Sequence, residues 1–391
     1  MHLTGRRRRR LLVPSVLAAA LTLTAAGLAT ASGAGADTVT APTAAGDPLQ
    51  REVDAIRDTG TVGVLADVRA SDARQHARAG TAELGTGRPV PWDGRFRIGS
   101  ATKTFTATVV LQLVGEGRIS LDDTVEHWLP GVVRGDGRDG SRITVRQLLQ
   151  HTSGIPEVEG DIPSLNSASG YEAERLRTYT PEELAALAMR NPSTAAPGTF
   201  AYSDTDYILL GMIIKKATGH SWAAEVNSRI IRPLRLADTS TPGASPYVPG
   251  PHAHAYRAFG TGTAIDVTRI NASAFDASGS IISTSADLGR FFTALVSGRL
   301  LAPAQFDEMT TTVPAPELGA DYGLGLGTFP LSCGGSYYTH PGGVSGYQTW
   351  VAVTPDATRT VVLLATGDGD TSTEAAMIRL VDREMCRGGG K

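Results

Sequence analysis

Strand-like text is confined to the two ends of this chain, so any single core must join segments far apart in sequence. Near the start, apolar Val62 to Val68 reads as a strand and Arg74 to Leu84 as its polar, alternating partner, after a short helix over Leu49 to Arg57. Near the end, Gln348 to Val353 and Thr360 to Ala365 flank the turn Thr354-Pro355-Asp356-Ala357, and Glu374 to Met385 closes as a helix. From Ile119 to about Phe275 the chain reads as short helical pieces broken by Gly and Pro, among them Val145 to His151 and Pro181 to Met189. A further helix follows over Asp287 to Val296. The expected class is α/β (α+β): an antiparallel sheet built from N- and C-terminal segments, flanked by helices, with an inserted mostly helical lobe at about 119–275 and a cleft between the two.

Arg6 to Arg10 precede an apolar run from Leu11 to Leu28, then small residues offering Ala29-Thr30-Ala31 or Ala34-Gly35-Ala36 for cleavage. This order predicts a secretory signal over 1–36, an Ala/Thr/Pro/Gly linker over 37–48 and one domain over 49–388. The expected product is secreted, with no stable membrane anchor. Losing the leader removes five arginines and no acid, taking the formal charge from −3 to about −8, a balance unsuited to nucleic acid. In an oxidising compartment the only two cysteines, Cys333 and Cys386, are expected to pair. His252-Ala253-His254 has no third ligand in view, so neither a metal nor another cofactor is expected.

Lysine occurs at only four positions, Lys103, Lys215, Lys216 and Lys391, while Lys plus Arg totals 36. Unlike arginine, a buried lysine can release its proton and act as a base. Lys103 lies three residues after Ser100, at the start of an apolar helix over Ala101 to Val114, and such positions share a helix face. Serine at a helix start is ordinarily an N-cap. A cation in the first turn, however, opposes the helix dipole, and the same field would favour the serine alkoxide and a neutral amine.

With the run Phe96 to Lys103, Ile143 to Gly154, Pro197-Gly198 before Tyr202-Ser203-Asp204, Tyr322 to Gly325 and His340-Pro341-Gly342, the chain resembles the serine β-lactamase and penicillin-binding superfamily over nearly all of residues 50–386. Its pattern is class C-like and nearest to secreted D-alanyl-D-alanine carboxypeptidases. The resemblance implies acylation of Ser100, with Lys103 and Tyr202 sharing base and acid work and His340 holding positive potential over the cleft. Backbone N–H groups of Ser100 and Gly343 would form the oxyanion hole, with Gly342 beside it. In the resemblance His151 belongs to a scaffold of helix and turn, not to the catalytic set.

Two positions depart from the family's pattern. Asp204 stands where Asn is usual; it caps a helix over Asp206 to Ala217, or it faces Lys103 and holds the amine charged. Pro341 supplies neither hydroxyl nor N–H, and no Lys or Arg occurs between Asp321 and Arg359, where a free C-terminal carboxylate would need a cation. The resemblance therefore implies a hydrolase of D-alanyl peptides or related acyl donors, with β-lactams as candidate inhibitors. An esterase, a D-amino-acid amidase or a β-lactamase-like hydrolase stands as the second reading, and a non-catalytic binder of wall peptides or β-lactams as the third.

Overall fold

Asp47, whose carboxylate accepts from the Leu49 N–H, starts helix α1 (Pro48–Arg57), with proline at a first-turn position that needs no donor. The helix thus begins one residue inside the stretch read as linker. The computed structural model describes residues 46–70 and 73–387; the expected leader, and the expected linker up to residue 45, lie outside the described residues.

Among the described residues the main sheet has nine strands. Two come from the N-terminal segment, β1 (Gly63–Arg69) and β2 (Arg74–Gly80). The other seven come from the C-terminal segment: β3 (Val313–Ala315), β4 (Ala320–Tyr322), β5 (Gly327–Pro330), β6 (Ser336–Thr339), β7 (Gly342–Val344), β8 (Tyr347–Val353) and β9 (Thr360–Thr366). The spatial order is β2-β1-β9-β8-β6-β5-β4-β3, antiparallel throughout, with β7 also on β8. β1 and β9, neighbours with a strand on either side of the pair, are buried along nearly their whole length, which explains their largely apolar runs.

Thr339 faces Ala352 and Gly342 faces Thr349, so β6 and β7 keep one register against β8. The break between them falls at His340-Pro341, where proline has no N–H to give the ladder. It opens the sheet where the cleft lies.

One face of the sheet packs against α1 and the C-terminal helix α5 (Thr371–Cys386), through Val53, Ile56, Trp350, Leu363 and Leu380. The other face packs against α4 (Ser285–Val296) and a larger core around α2 (Thr102–Gly115). α2 is enclosed on every side: Lys103, Thr104, Thr106 and Thr108 are as fully buried as Phe105 and Val109. Its hydroxyls are satisfied internally, Thr104 on the Gly325 carbonyl and Thr106 on that of Ala277. The middle of the chain is the expected helical lobe, and its longest helix is α3 (Asp204–Thr218). Cys333 and Cys386 are joined, tying the turn between β5 and β6 to the end of α5. No helix among the described residues is long and apolar enough to cross a membrane.

Candidate active site

Ser100 sits in a tight 3₁₀ turn (Gly99–Ala101) leading into α2, rather than on the helix itself. Glycine is required on both sides of that turn. Gly99 has φ +53° and a Cβ there would come within 2.8 Å of the Gly343 carbonyl, while a Cβ on Gly342 would come within 2.0 Å of the Ile98 carbonyl. β7 therefore lies directly against the serine turn, with Gly343 open to the cleft.

Lys103 spends all three of its N–H donors at this point. Nζ donates to Ser100 Oγ at 3.1 Å, to the Ser278 carbonyl at 3.1 Å and to Asp204 Oδ1. Two tyrosine rings complete its surroundings, with Nζ 4.8 Å from the centroid of Tyr202 and 5.6 Å from that of Tyr207. Of the two readings of Asp204, the helix-cap one is corrected. α3 begins at Asp204 with Ser203 as N-cap, and the carboxylate pairs with the lysine. A salt bridge so enclosed is stable only when its remaining lone pairs are met.

The network around Asp204 contains two acids that local sequence patterns gave no reason to select. Glu157 accepts from the Asp204 N–H at 2.6 Å and from those of Val158 and Glu159, and burial, followed by the Asp204 charge, raises its pKa. Glu159 is an exposed residue, yet its carboxyl is hydrogen-bonded to that of Asp204. Desolvation, then repulsion from Asp204 and Glu157, pushes it up to about 8. Three carboxyl groups thus face one ammonium, and one of them carries a proton at neutral pH.

Tyr202 is hydrogen-bonded to the Ser100 side chain, and burial together with the Asp204 charge keeps its phenol protonated well above the usual range. The His151 ring lies 4.2 Å from that of Tyr202 and is fully buried, its Nδ1 3.2 Å from Asp206. Burial, then the Lys103 charge, holds it neutral. It props the tyrosine from behind, in keeping with a scaffold role.

His340 corrects the expectation of positive potential. Its Nδ1 donates to the Pro341 carbonyl at 2.7 Å, so Nε2 accepts from the Tyr322 hydroxyl at 2.9 Å. Burial, then the neighbouring Lys103 charge, lowers its pKa to about 3, and the ring is neutral. Its direct partner is Tyr322 rather than Tyr202.

Above Ser100 lies a cleft of about 400 Å³ that runs along the break in the sheet to the first turn of α5. Tyr202, His340, Gly342 and Gly343 line it, and no Lys or Arg among the described residues does. A second, more polar hollow of about 300 Å³ shares Gly343 and contains Glu159 and Arg257, the latter 3.5 Å from Asp368. His252 and His254 lie in a separate hollow on the helical lobe, and no group of three metal-ligating side chains occurs among the described residues.

A serine on a tight turn, a lysine and a phenol within bonding reach of it, and a sheet strand beside it define a serine hydrolase of the β-lactamase and penicillin-binding superfamily. The chain belongs to the Beta-lactamase family, whose model matches residues 49–384. A D-stereospecific amidohydrolase from Streptomyces sp. superposes with a TM-score of 0.80 at 40% identity, covering 88% of this chain and 98% of that one. Penicillin-binding protein 4* of Bacillus subtilis (strain 168) is 25% identical over 337 residues, 82% of this chain and 71% of that protein. Esterase EstB of Burkholderia gladioli is 33% identical over 200 residues, 49% of this chain and half of that protein's length.

Proposed function

We propose that this protein hydrolyses amides and esters of D-amino acids bearing a free amino group, through an acyl-enzyme on Ser100. The observation that carries the reading is the charge of the site. No Lys or Arg among the described residues lines the cleft over Ser100, whereas Glu159 lines the adjoining hollow that shares Gly343, and it and Glu157 feel the Asp204 charge. A free C-terminal carboxylate would meet no cation there, while an α-ammonium would draw Glu159 back into its ionised form. The likeness to a D-stereospecific amidohydrolase over nearly its whole length supports the same reading.

In this mechanism Lys103 first yields a proton toward the Asp204–Glu159 carboxyl pair, then takes the Ser100 proton as the oxygen attacks the acyl carbon. Tyr202, held protonated, delivers a proton to the leaving nitrogen or oxygen. The N–H groups of Ser100 and Gly343 receive the oxyanion. Water then attacks the ester, with the same groups in reverse order. Export follows as a second proposal from the leader over 1–36, and N-terminal sequencing of the protein recovered from culture medium checks it.

Rates on D-phenylalanine amide, D-phenylalanine methyl ester and a peptide ending in D-Ala-D-Ala distinguish the activities. The amide and ester are expected to turn over with little release of D-alanine. Rapid D-alanine release with inert amides would establish the carboxypeptidase instead. Loss of fluorescent-penicillin labelling in Ser100→Ala would exclude an inert binding site.

A further inference from the structure

The far end of the Ser100 cleft has a composition that the reaction itself does not require. Its walls are Leu318, Phe329, Trp350 and Met377, and Phe329 meets Trp350 edge to face with ring centroids 5.7 Å apart. Three carboxylates close it: Asp368, Asp370 and Glu374. Two are already occupied. Asp368 accepts from the Ala258 N–H and lies near Arg257, and Asp370 caps α5 through the N–H groups of Ser372 and Thr373. Glu374 is exposed, and its carboxylate has no hydrogen bond or ion pair among the described residues. An acid in a first helical turn is favoured by the dipole, which accounts for its presence but not for an aromatic pair at its side. Aromatic faces with a lone carboxylate are the surroundings an organic cation seeks.

The leaving group is the part of the substrate that reaches this end. Tyr202 lines this cleft together with Ser100, whereas Glu159 lines the hollow on the other side of Gly343. With the α-ammonium toward Glu159 and the departing nitrogen over Tyr202, the departing amine extends toward α5.

We infer that the leaving-group side of this site selects amines tipped by a second positive charge, with Phe329 and Trp350 flanking an alkyl arm and Glu374 receiving its cationic end. The inference rests on the acyl-enzyme reading above. In the step itself the Ser100 Oγ–acyl bond forms and the C–N bond breaks. The diamine leaves with one proton from Tyr202 and its distal ammonium unchanged.

The test compares kcat/KM for D-phenylalanine N-(4-aminobutyl)amide and its neutral isostere, the N-pentylamide, in wild type and in Glu374→Gln, at low and at high salt. In wild type the cationic substrate is expected to lead by about five-fold, as for an exposed cation against aromatic and carboxylate groups. Added salt should shrink that ratio, and Glu374→Gln should bring it to about one. A wild-type ratio near one, or a ratio that survives in Glu374→Gln, with both amides turned over, overturns the inference and leaves the acyl-enzyme standing. Turnover of neither amide, with no mass adduct on the protein, overturns both.

Discussion

The two walls of the cleft are built on opposite principles. On the α2 side every polar atom of the lysine is spent: Lys103 donates to Ser100, Ser278 and Asp204, and tyrosine rings close over it. On the α5 side the surface is apolar but for Asp368, Asp370 and Glu374, and among the described residues it has no cation and the Glu374 carboxylate has no partner. A saturated buried network fixes distances, because moving any member strands another in a medium that penalises it. An apolar wall fixes only shape and sign of charge. The reacting groups are therefore set by the α2 wall, and on the proposed reading the wall formed by β5, β8 and α5 selects the substrate.

The largest effect is expected where the networked wall is cut. Lys103→Met should slow acylation by about 10³-fold, the size of a general base, in a single-turnover assay. A loss under ten-fold would mean that Tyr202 or water serves as base instead.

Next comes the tether of the other wall. Replacing both Cys333 and Cys386 by serine should cost about 2–4 kcal/mol in denaturant unfolding. Hydrogen exchange should rise along Thr371–Cys386 and stay slow along Thr102–Gly115. Equal loosening of both helices would erase the distinction between the walls.

The smallest effect concerns Glu159, whose carboxyl keeps its proton up to about 8 in the fold against an ordinary 4.5. Between those values the folded protein binds more protons than the unfolded one, so stability falls as pH rises through that window. Glu159→Gln should flatten the decline of Tm from pH 5 to pH 8, and an unchanged slope would show that the Asp204–Glu159 contact is not formed.

What the sequence made legible was local. Ser100 and Lys103 are three residues apart, and the strands over Val62 to Val68, Gln348 to Val353 and Thr360 to Ala365 formed within a residue or so of their expected ends. The C-terminal helix begins at Thr371 rather than Glu374 because the Asp370 cap adds a first turn. The partners of Lys103 were not legible in its neighbourhood: Asp204 lies 101 positions away and Ser278 lies 175 away, joined only by packing of α3 and the segment before α4 against α2. Charge states were the least legible. His340 was expected to supply positive potential, but full burial beside Lys103 leaves it neutral. Nothing in their own neighbourhood singles out Glu157 and Glu159; their raised pKa values come from burial and from the Asp204 charge that packing brings near.

The most direct test of the central claim is the mass of the protein caught during turnover of D-phenylalanine methyl ester by rapid acid quench, followed by peptide mapping. An added phenylalanyl group is expected on the peptide holding Ser100, absent in Ser100→Ala and strongly reduced in Lys103→Met. Steady hydrolysis by Ser100→Ala, or an adduct mapping to another residue, would contradict it.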